Sequence, residues 1–247
     1  MKNNYFYKKP LSNIYKKPSE DSEVTSQIIY GEKFKVLSKS KSWLRIKTSF
    51  DNYIGYIKDE YYTGEHKPTH KIFSLKANIF NRQKNTKYFL PFASKISIIQ
   101  ENKKFAEFEK NKWIIKKHIK KIDHVERDYL KLLKLFLKTK YVWGGKTYKG
   151  IDCSAILQLF YYYNNKFYPR DTKDQIKYSI KNAKKKIFKK GDIIFWKGHV
   201  AICVNSKKLI HAYGPEKKVL IMPITEAIDR IEITAKLIVK KVSSIKY

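Results

Sequence analysis

Three residues have the types and the order that hydrolysis by a thiol requires. Cys153 comes first along the chain, and His199 and His211 follow it. A thiolate can attack a carbonyl carbon, an imidazole can take up and return the proton, and a third polar group can orient that imidazole. A cysteine in isolation is more often a small buried side chain. The two downstream histidines therefore favour Cys153 as a nucleophile, with His199 as its base and His211 as the orienting group.

The position of Cys153 within its element supports this interpretation. The glycine-containing stretch 144–150 precedes it, and residues 153–163 have apolar residues at helical spacing. The positive end of a helix dipole favours a thiolate at the first residue. Asp152 is placed to cap the same helix. The sequence thus predicts a reactive cysteine at a helix start.

The register of two predicted strands decides whether His199 and His211 can act together. If Val204 paired with Leu209, the two imidazoles would point to opposite faces of the sheet. A register shifted by one residue makes them diagonal neighbours on one face. We therefore predict a connection of three residues, 205–207, with a bulge.

Two histidines and a cysteine could also bind zinc, but CxxC and HxxxH spacings are missing, so we predict no metal and no cofactor.

The elements around these residues indicate an α+β region. Leu130, Leu133, Leu137 and then Tyr141 recur at helical spacing, which predicts a helix over 130–141. After the helix at 153–163, strands are predicted at 192–196, 199–204, 209–213 and 219–222. Helices followed by a meander of strands are typical of an α+β fold.

The first half of the chain predicts two small β-barrels. Residues 24–62 contain short apolar runs separated by turn residues, as small barrels do. Residues 66–122 repeat this pattern loosely, with strands predicted at 72–77, 95–99, 105–108 and 113–115. The two segments could be a duplicated barrel.

The composition excludes a disordered polycation. Among 247 residues, 54 are Lys or Arg and 22 are Asp or Glu, for a net charge of +32, yet 43% of the residues are hydrophobic. Such a charge suggests nucleic acid, but only five basic residues are arginine, the residue favoured for bidentate phosphate and base contacts. We favour solvated lysine faces and expect no nucleic-acid partner.

The sequence gives no sign of a membrane span or a secretory signal. No apolar run approaches the length of about 18 residues that a span needs, and residues 1–9 lack the apolar region of a signal peptide. Cys153 and Cys203 do not make a disulfide framework. These features predict a cytoplasmic protein, and they leave its oligomeric state open.

The motifs around the three residues resemble those of NlpC-type, papain-like cell-wall cysteine peptidases. The similar segments are YVWGG at 141–145, GIDCS at 150–154, PRDT at 169–172, GDIIFW at 191–196, GHVAI at 198–202 and LIHA at 209–212. Ala155 and Ala201 stand where the family usually has glycine, which is tolerated if neither position needs a positive φ. The resemblance implies an α+β, papain-like catalytic domain over residues 125–247.

The front half resembles the bacterial SH3-like barrels of one branch, the γ-D-glutamyl-L-diamino acid endopeptidases. The segments that carry this looser resemblance are NIY at 13–15, YGE at 30–32, NYIGY at 52–56, LPF at 90–92 and residues 113–118. It implies a first SH3-like barrel at 1–64 and a second at 65–124.

The resemblance also implies roles for further residues. In that branch an acidic residue and a tyrosine of the first barrel close the substrate cleft, and Glu32 and Tyr53 are the best matches, although they could equally be a turn carboxylate and a barrel aromatic. Asp152 and Ser154 would contact the N-terminal residue of the substrate. Two further residues complete the predicted site: Tyr141, as a second oxyanion donor beside the Cys153 N–H, and Thr172, as a weaker substrate contact.

The resemblance implies hydrolysis of the γ-D-glutamyl–diamino acid bond in murein peptides, on fragments with a free N-terminal L-Ala. Two alternatives stay open. One is a basic module that binds nucleic acid or an anionic wall polymer on an inactive peptidase scaffold. The other is an amidase or acyltransferase that uses the same thiol.

Overall fold

The computed structural model describes residues 4–81, 84–180 and 187–246. The chain separates into two compact units, Met1–Val125 with Tyr162–Asn165, and Glu126–Tyr161 with Lys166–Tyr247. None of the helices in the described ranges has the length and apolar character that a membrane crossing requires.

Over residues 4–81 and 84–125, the first unit is built from strands and one short 3₁₀ helix, Lys116–His118. The strands are β1 (Asn4–Tyr7), β2 (Leu11–Tyr15), β3 (Val24–Ile29), β4 (Lys33–Ser40), β5 (Trp43–Thr48), β6 (Ile54–Lys58), β7 (Tyr62–Thr63), β8 (His70–Ile72), β9 (Lys76–Asn81), β10 (Lys84–Pro91), β11 (Lys95–Ile96), β12 (Gln100–Glu101), β13 (Phe105–Glu109), β14 (Lys112–Ile115) and β15 (Ile119–Lys121).

Strands β1 to β7 form one antiparallel sheet in the order β3-β2-β6-β5-β4-β1-β7. Apolar residues alternate along these strands, so one face is buried around Phe34, Leu44, Ile46 and Ile57. Between β3 and β4 the chain turns at Gly31, whose φ of +77° is accessible to glycine at little cost. This turn places Glu32 immediately before β4.

The remaining strands of the first unit form a five-stranded sheet, β10-β9-β14-β13-β12, and a three-stranded sheet, β11-β8-β15. Ile72, Leu90, Ile96 and Ile114 belong to their shared core. The strand predicted at 72–77 is in fact two strands, because β8 ends at Ile72 and β9 begins at Lys76. The strand predicted at 95–99 ends at Ile96.

The second unit combines helices with an antiparallel sheet. Its described elements are α1 (Tyr129–Lys134), β16 (Lys146–Thr147), β17 (Gly150–Ile151), α2 (Cys153–Tyr163), α3 (Thr172–Tyr178), β18 (Asp192–Trp196), β19 (His199–Cys203), β20 (Lys208–Tyr213), β21 (Lys218–Pro223), α4 (Ile224–Ala235) and β22 (Lys241–Ser244). Five strands pair in the order β21-β20-β19-β18-β22, and β16 pairs with β17.

Helix α2 and the strands β18 to β21 lie where the sequence predicted them, but two helices differ. The helix predicted over 130–141 ends at Lys134, because Lys138 takes a left-handed φ of +67° and Lys140 forms a β-bridge with Lys218. Helix α4 was not predicted, although Ile224, Ala227 and Ile231 give it a buried stripe. Strand β22 was not predicted either.

Candidate active site

Cys153 begins α2 and is 3% exposed. The Asp152 Oδ1 accepts a hydrogen bond from the Ala155 N–H at 2.8 Å, which satisfies one of the N–H groups at the helix start. The Cys153 Sγ lies 4.0 Å from the Thr172 Oγ1 and 3.8 Å from the carbonyl oxygen of Gly198. The thiol is therefore held between the starts of two helices and the turn before β19.

Burial controls the protonation of this thiol. Loss of solvation, followed by the nearby Asp152 carboxylate, raises the pKa of Cys153 to about 12. The backbone N–H of Val200, the Thr172 hydroxyl and Arg170 act in the opposite direction. The sequence position predicted a thiolate favoured by the helix dipole. Burial thus acts against the thiolate that this position was predicted to favour, because it raises the pKa of the thiol.

His199 and His211 lie on one face of the sheet, with the His199 Nε2 and the His211 Nδ1 2.9 Å apart. The pairs Ile202–Ile210 and Cys203–Leu209 give β19 and β20 the register that we predicted. The Val204 N–H also donates to the Lys208 carbonyl at 2.9 Å, which leaves the three residues 205–207 as the connection. That prediction is confirmed. The predicted bulge is absent from the described pairing of these two strands, which keeps one register.

The two imidazoles are neutral at neutral pH. Burial lowers the pKa of His199 to about 4, and burial together with His199 lowers the pKa of His211. Because the His199 Nε2 bonds to His211, its Nδ1 is the nitrogen left to serve a thiol. Among the contacts of the described residues, the Cys153 Sγ has no hydrogen bond to His199. It contacts the carbonyl of Gly198, the residue before His199.

A buried ion pair supports the start of α2. The Arg170 guanidinium donates to both carboxylate oxygens of Asp152, at 3.0 and 2.6 Å, and to the Ser154 hydroxyl at 2.9 Å. Asp152 also accepts the Gly144 N–H at 3.1 Å. The Gln175 side chain donates to the Ser154 carbonyl at 3.0 Å. Sequence reasoning included Arg170 in a motif but gave it no role, and it missed Gln175.

The other predicted site residues of the second unit lie at different depths. Ser154 is buried, and its hydroxyl donates to the Asp152 Oδ1 at 3.0 Å, so Asp152 and Ser154 are already engaged with each other. Thr172 begins α3 and is buried against the thiol. Tyr141 is partly buried, and burial followed by Cys153 and Asp152 raises the pKa of its hydroxyl. Thr172 thus contacts the thiol of Cys153, and Tyr141 lies within electrostatic range of it.

Ala155 and Ala201, which stand where the family usually has glycine, were expected to be tolerated if neither needs a positive φ. Ala155 lies within α2 and Ala201 within β19. Neither belongs to the described residues with a positive φ.

Glu32 and Tyr53 belong to the first unit. Glu32 is 1% exposed, and its Oε2 accepts the N–H of Ile29 at 3.1 Å. The Tyr53 hydroxyl donates to the Thr25 carbonyl at 3.3 Å. The carboxylate thus holds the turn between β3 and β4, and the tyrosine holds β3. Their substrate role stays a prediction.

In the described ranges, no group of three or more His, Cys, Asp or Glu residues is arranged to hold a metal ion.

Comparison with known proteins identifies two parts of the chain. Residues 138–235, which include Cys153, His199 and His211, match the NlpC/P60 family. This part of the chain is an NlpC/P60 domain. Residues 14–60 match the bacterial dipeptidyl-peptidase Sh3 domain. The resemblance predicted from the sequence is confirmed for these two parts of the chain.

Relatives that cover most of the chain carry peptidase names. The chain is 24% identical over 233 residues to dipeptidyl-peptidase 6 of Lysinibacillus sphaericus, covering 82% of this chain and 84% of the relative. It is 25% identical over 243 residues to the gamma-D-glutamyl-L-lysine dipeptidyl-peptidase of Bacillus subtilis (strain 168), covering 87% and 81%.

A solved NlpC/P60 family protein from Bacillus cereus ATCC 10987 has the same fold. It superposes with a TM-score of 0.77 at 17% identity, over 90% of this chain and 94% of that protein. This confirms the predicted fold class: an α+β chain with a papain-like NlpC/P60 domain after an SH3-like region.

Proposed function

We propose that this protein is a cysteine peptidase that hydrolyses the γ-D-glutamyl–diamino acid bond of murein peptides. The observation that carries the proposal is the bonded pair of His199 and His211 on the strands beside the helix that begins at Cys153. The name of the Bacillus subtilis relative, a gamma-D-glutamyl-L-lysine dipeptidyl-peptidase, supports the choice of bond.

In the proposed mechanism Cys153 attacks as a neutral thiol that loses its proton during the attack. Its pKa is raised and that of His199 is lowered, so a resting ion pair is disfavoured. The sulfur forms a bond to the γ-carbonyl carbon of D-glutamate while the His199 Nδ1 accepts the thiol proton. His211 keeps the imidazole oriented through its bond to Nε2.

The tetrahedral intermediate then collapses to a thioester. His199 returns its proton to the leaving amine of the diamino acid as the C–N bond breaks. It next takes a proton from water, and the hydroxide oxygen bonds to the thioester carbonyl carbon. The C–S bond then breaks, the γ-carboxyl group is released, and His199 returns its proton to the Cys153 sulfur. The Cys153 N–H at the start of α2 and the Tyr141 hydroxyl are the proposed donors to the oxyanion.

Recognition of the substrate follows the roles that the resemblance implies for single residues. We assign the free amino group of an N-terminal L-Ala to the Glu32 carboxylate and Tyr53, and the first residue of the peptide to Asp152 and Ser154, with Thr172 beside the thiol. Such a requirement selects short murein fragments with a free N-terminus, as cell-wall recycling produces. Cytoplasmic action on these fragments is part of the proposal.

The test uses defined tripeptides and the second cysteine of the chain as a control. Wild type, Cys153→Ala and Cys203→Ala are incubated with L-Ala-γ-D-Glu-diaminopimelate, the lysine analogue, and N-acetylated forms of both. We expect wild type and Cys203→Ala to release the diamino acid from the free peptides, while Cys153→Ala releases none. Acetylation should abolish turnover if the amino group is recognised.

Equally slow release by wild type and Cys153→Ala would end the peptidase proposal. Thiol-dependent turnover of unrelated amides or esters, without cleavage of these peptides, would identify the amidase or acyltransferase alternative. Salt-dependent binding of a polyanion without any hydrolysis would identify the binding module.

A further inference from the structure

Met222 lies against the imidazole of His211. Its Sδ is 3.2 Å from the His211 Nε2, and its side chain is 5% exposed. The strands explain this contact, because His211 pairs with Leu220 and Met222 is two residues further along β21, on the same face. Three side chains on adjacent strands, His199, His211 and Met222, thus form one continuous chain of contacts.

The protons in this chain of contacts are limited in number. Both imidazoles are neutral, so each carries a single N–H. Between the His199 Nε2 and the His211 Nδ1, 2.9 Å apart, one nitrogen must donate and the other must accept. The pair therefore has two possible arrangements, which differ in where the remaining nitrogens hold their protons.

In the first arrangement His199 donates from Nε2, and His211 carries its proton on Nε2, directed at Met222. The His199 Nδ1 then has a lone pair that can accept the thiol proton. In the second arrangement His211 donates from Nδ1, and its Nε2 lone pair faces the sulfur. The proton of His199 is then on Nδ1, where it blocks the uptake of a proton.

The sulfur distinguishes between these arrangements because a thioether accepts hydrogen bonds weakly and cannot donate one. It stabilises an N–H directed at it, and it is repelled by a buried nitrogen lone pair. The ring of Tyr213 stacks on His211 at 4.7 Å between centroids and 10° between planes, which supports this ring orientation.

We infer that Met222 is a positioning residue that selects the tautomers of His211 and His199, and so keeps the His199 Nδ1 in its basic form. The inference deepens the proposed function and rests on it for its consequence in catalysis. Its structural content, the position of two protons, can be measured without any substrate.

Nuclear magnetic resonance tests the inference directly on the full-length wild-type protein. Long-range ¹H–¹⁵N correlation at neutral pH separates protonated from unprotonated imidazole nitrogens, and His199→Gln and His211→Gln assign the signals. We expect the proton on Nε2 in both rings. Met222 is the one methionine of the chain besides Met1, so a methyl-labelled methionine reports on the contact without ambiguity.

Substitution provides the second measurement. Met222→Leu keeps the volume and removes the acceptor, and selenomethionine keeps an acceptor of similar shape. Leu209→Met, at the cross-strand neighbour of Met222, is the control for packing. In Met222→Leu we expect a mixture of tautomers and a kcat lower by about threefold to tenfold at unchanged KM, the effect of one weak hydrogen bond. Selenomethionine protein and Leu209→Met should match wild type.

A wild-type proton on the Nδ1 of either ring would overturn the inference, and this result does not depend on the folding of any variant. Wild-type tautomers and kcat in Met222→Leu would overturn it as well. If the tautomers are as expected but the murein tripeptides are not cleaved, the proposed function fails and the tautomer assignment stands.

Discussion

The two cysteines have similar burial and very different surroundings. Cys153 is 3% exposed at a helix start, and Cys203 is 0% exposed at the end of β19. The region around Cys153 contains a hydroxyl, a carbonyl and the Asp152–Arg170 ion pair. The region around Cys203 is the apolar cluster that includes Ile194, Trp196, Ala201, Leu209 and Met222.

This difference shows that the neighbours of a buried thiol, and not its burial, indicate what it can do. Polar groups around Cys153 can hold a substrate and move a proton. The cluster around Cys203 offers packing. The boundary between the two regions runs through the sheet, where His199 and His211 lie on the same face as the apolar cluster. Each prediction below perturbs one region and leaves the other as its reference.

The largest effect is expected from His199, the proposed base. His199→Ala should lower kcat by about 10²- to 10⁴-fold, because general acid–base catalysis contributes that much. Steady-state kinetics on the tripeptide measures it. Ile202→Val, in the same strand, is the control and should leave kcat unchanged. A loss of less than about tenfold would remove His199 from the role of base.

The ion pair of the polar region gives the next prediction. Arg170→Met should destabilise the protein by about 3–5 kcal/mol, because it leaves the buried Asp152 carboxylate uncompensated. Urea denaturation measures the change. Adding Asp152→Asn to Arg170→Met should recover part of the loss, since the two side chains are directly bonded. Independent, additive effects would show that the pair does not act as a unit.

The elements around Cys153, His199 and His211 were predicted well because their signals are local. The helix that begins at Cys153 follows from apolar spacing, and the face shared by His199 and His211 follows from strand alternation and the length of one connection. These features need few assumptions about distant parts of the chain.

The features that were missed depend on contacts between distant residues. Asp152 and Arg170 are separated along the chain and meet only after folding, so their spacing carries no signal. The helix predicted over 130–141 ends early because Lys140 pairs with Lys218, a tertiary contact that overrides the leucine periodicity. Met222 has the sequence character of an ordinary core residue, and its contact with an imidazole becomes visible only in the sheet.

The third prediction concerns the apolar cluster around Cys203, where we expect a change in stability and little change in kcat. Leu209→Ala, opposite Cys203 in the sheet, should cost about 2–5 kcal/mol of stability through lost burial and a cavity. We expect kcat per folded molecule to stay near wild type. Thermal or urea unfolding gives the stability, and active-site titration of Cys153 gives the folded fraction. A selective loss of kcat would show that the two regions are coupled.

The smallest effects on catalysis come with the last prediction, which concerns the dependence of stability on pH. The folded protein lowers the pKa of His199 from 6.5 to about 4, so the unfolded chain binds more protons in this window. Stability from this group is complete above pH 6.5 and is lost as the pH falls towards 4. The raised pKa of Cys153 has the opposite sign, so its stabilisation is complete below pH 9 and is lost as the pH rises towards 12.

Two variants separate the loss of stability at low pH, the acid limb, from the loss at high pH, the alkaline limb. His199→Gln should make the acid limb of the stability curve shallower and leave the alkaline limb unchanged, while Cys153→Ala should do the reverse. Urea unfolding across the pH range measures both slopes. If Cys153 and His199 instead formed a resting ion pair, the thiol would be deprotonated at neutral pH, and Cys153→Ala would leave the alkaline limb as steep as in wild type. That result would show that Cys153 rests as a thiolate, whereas the proposed mechanism begins from a neutral thiol.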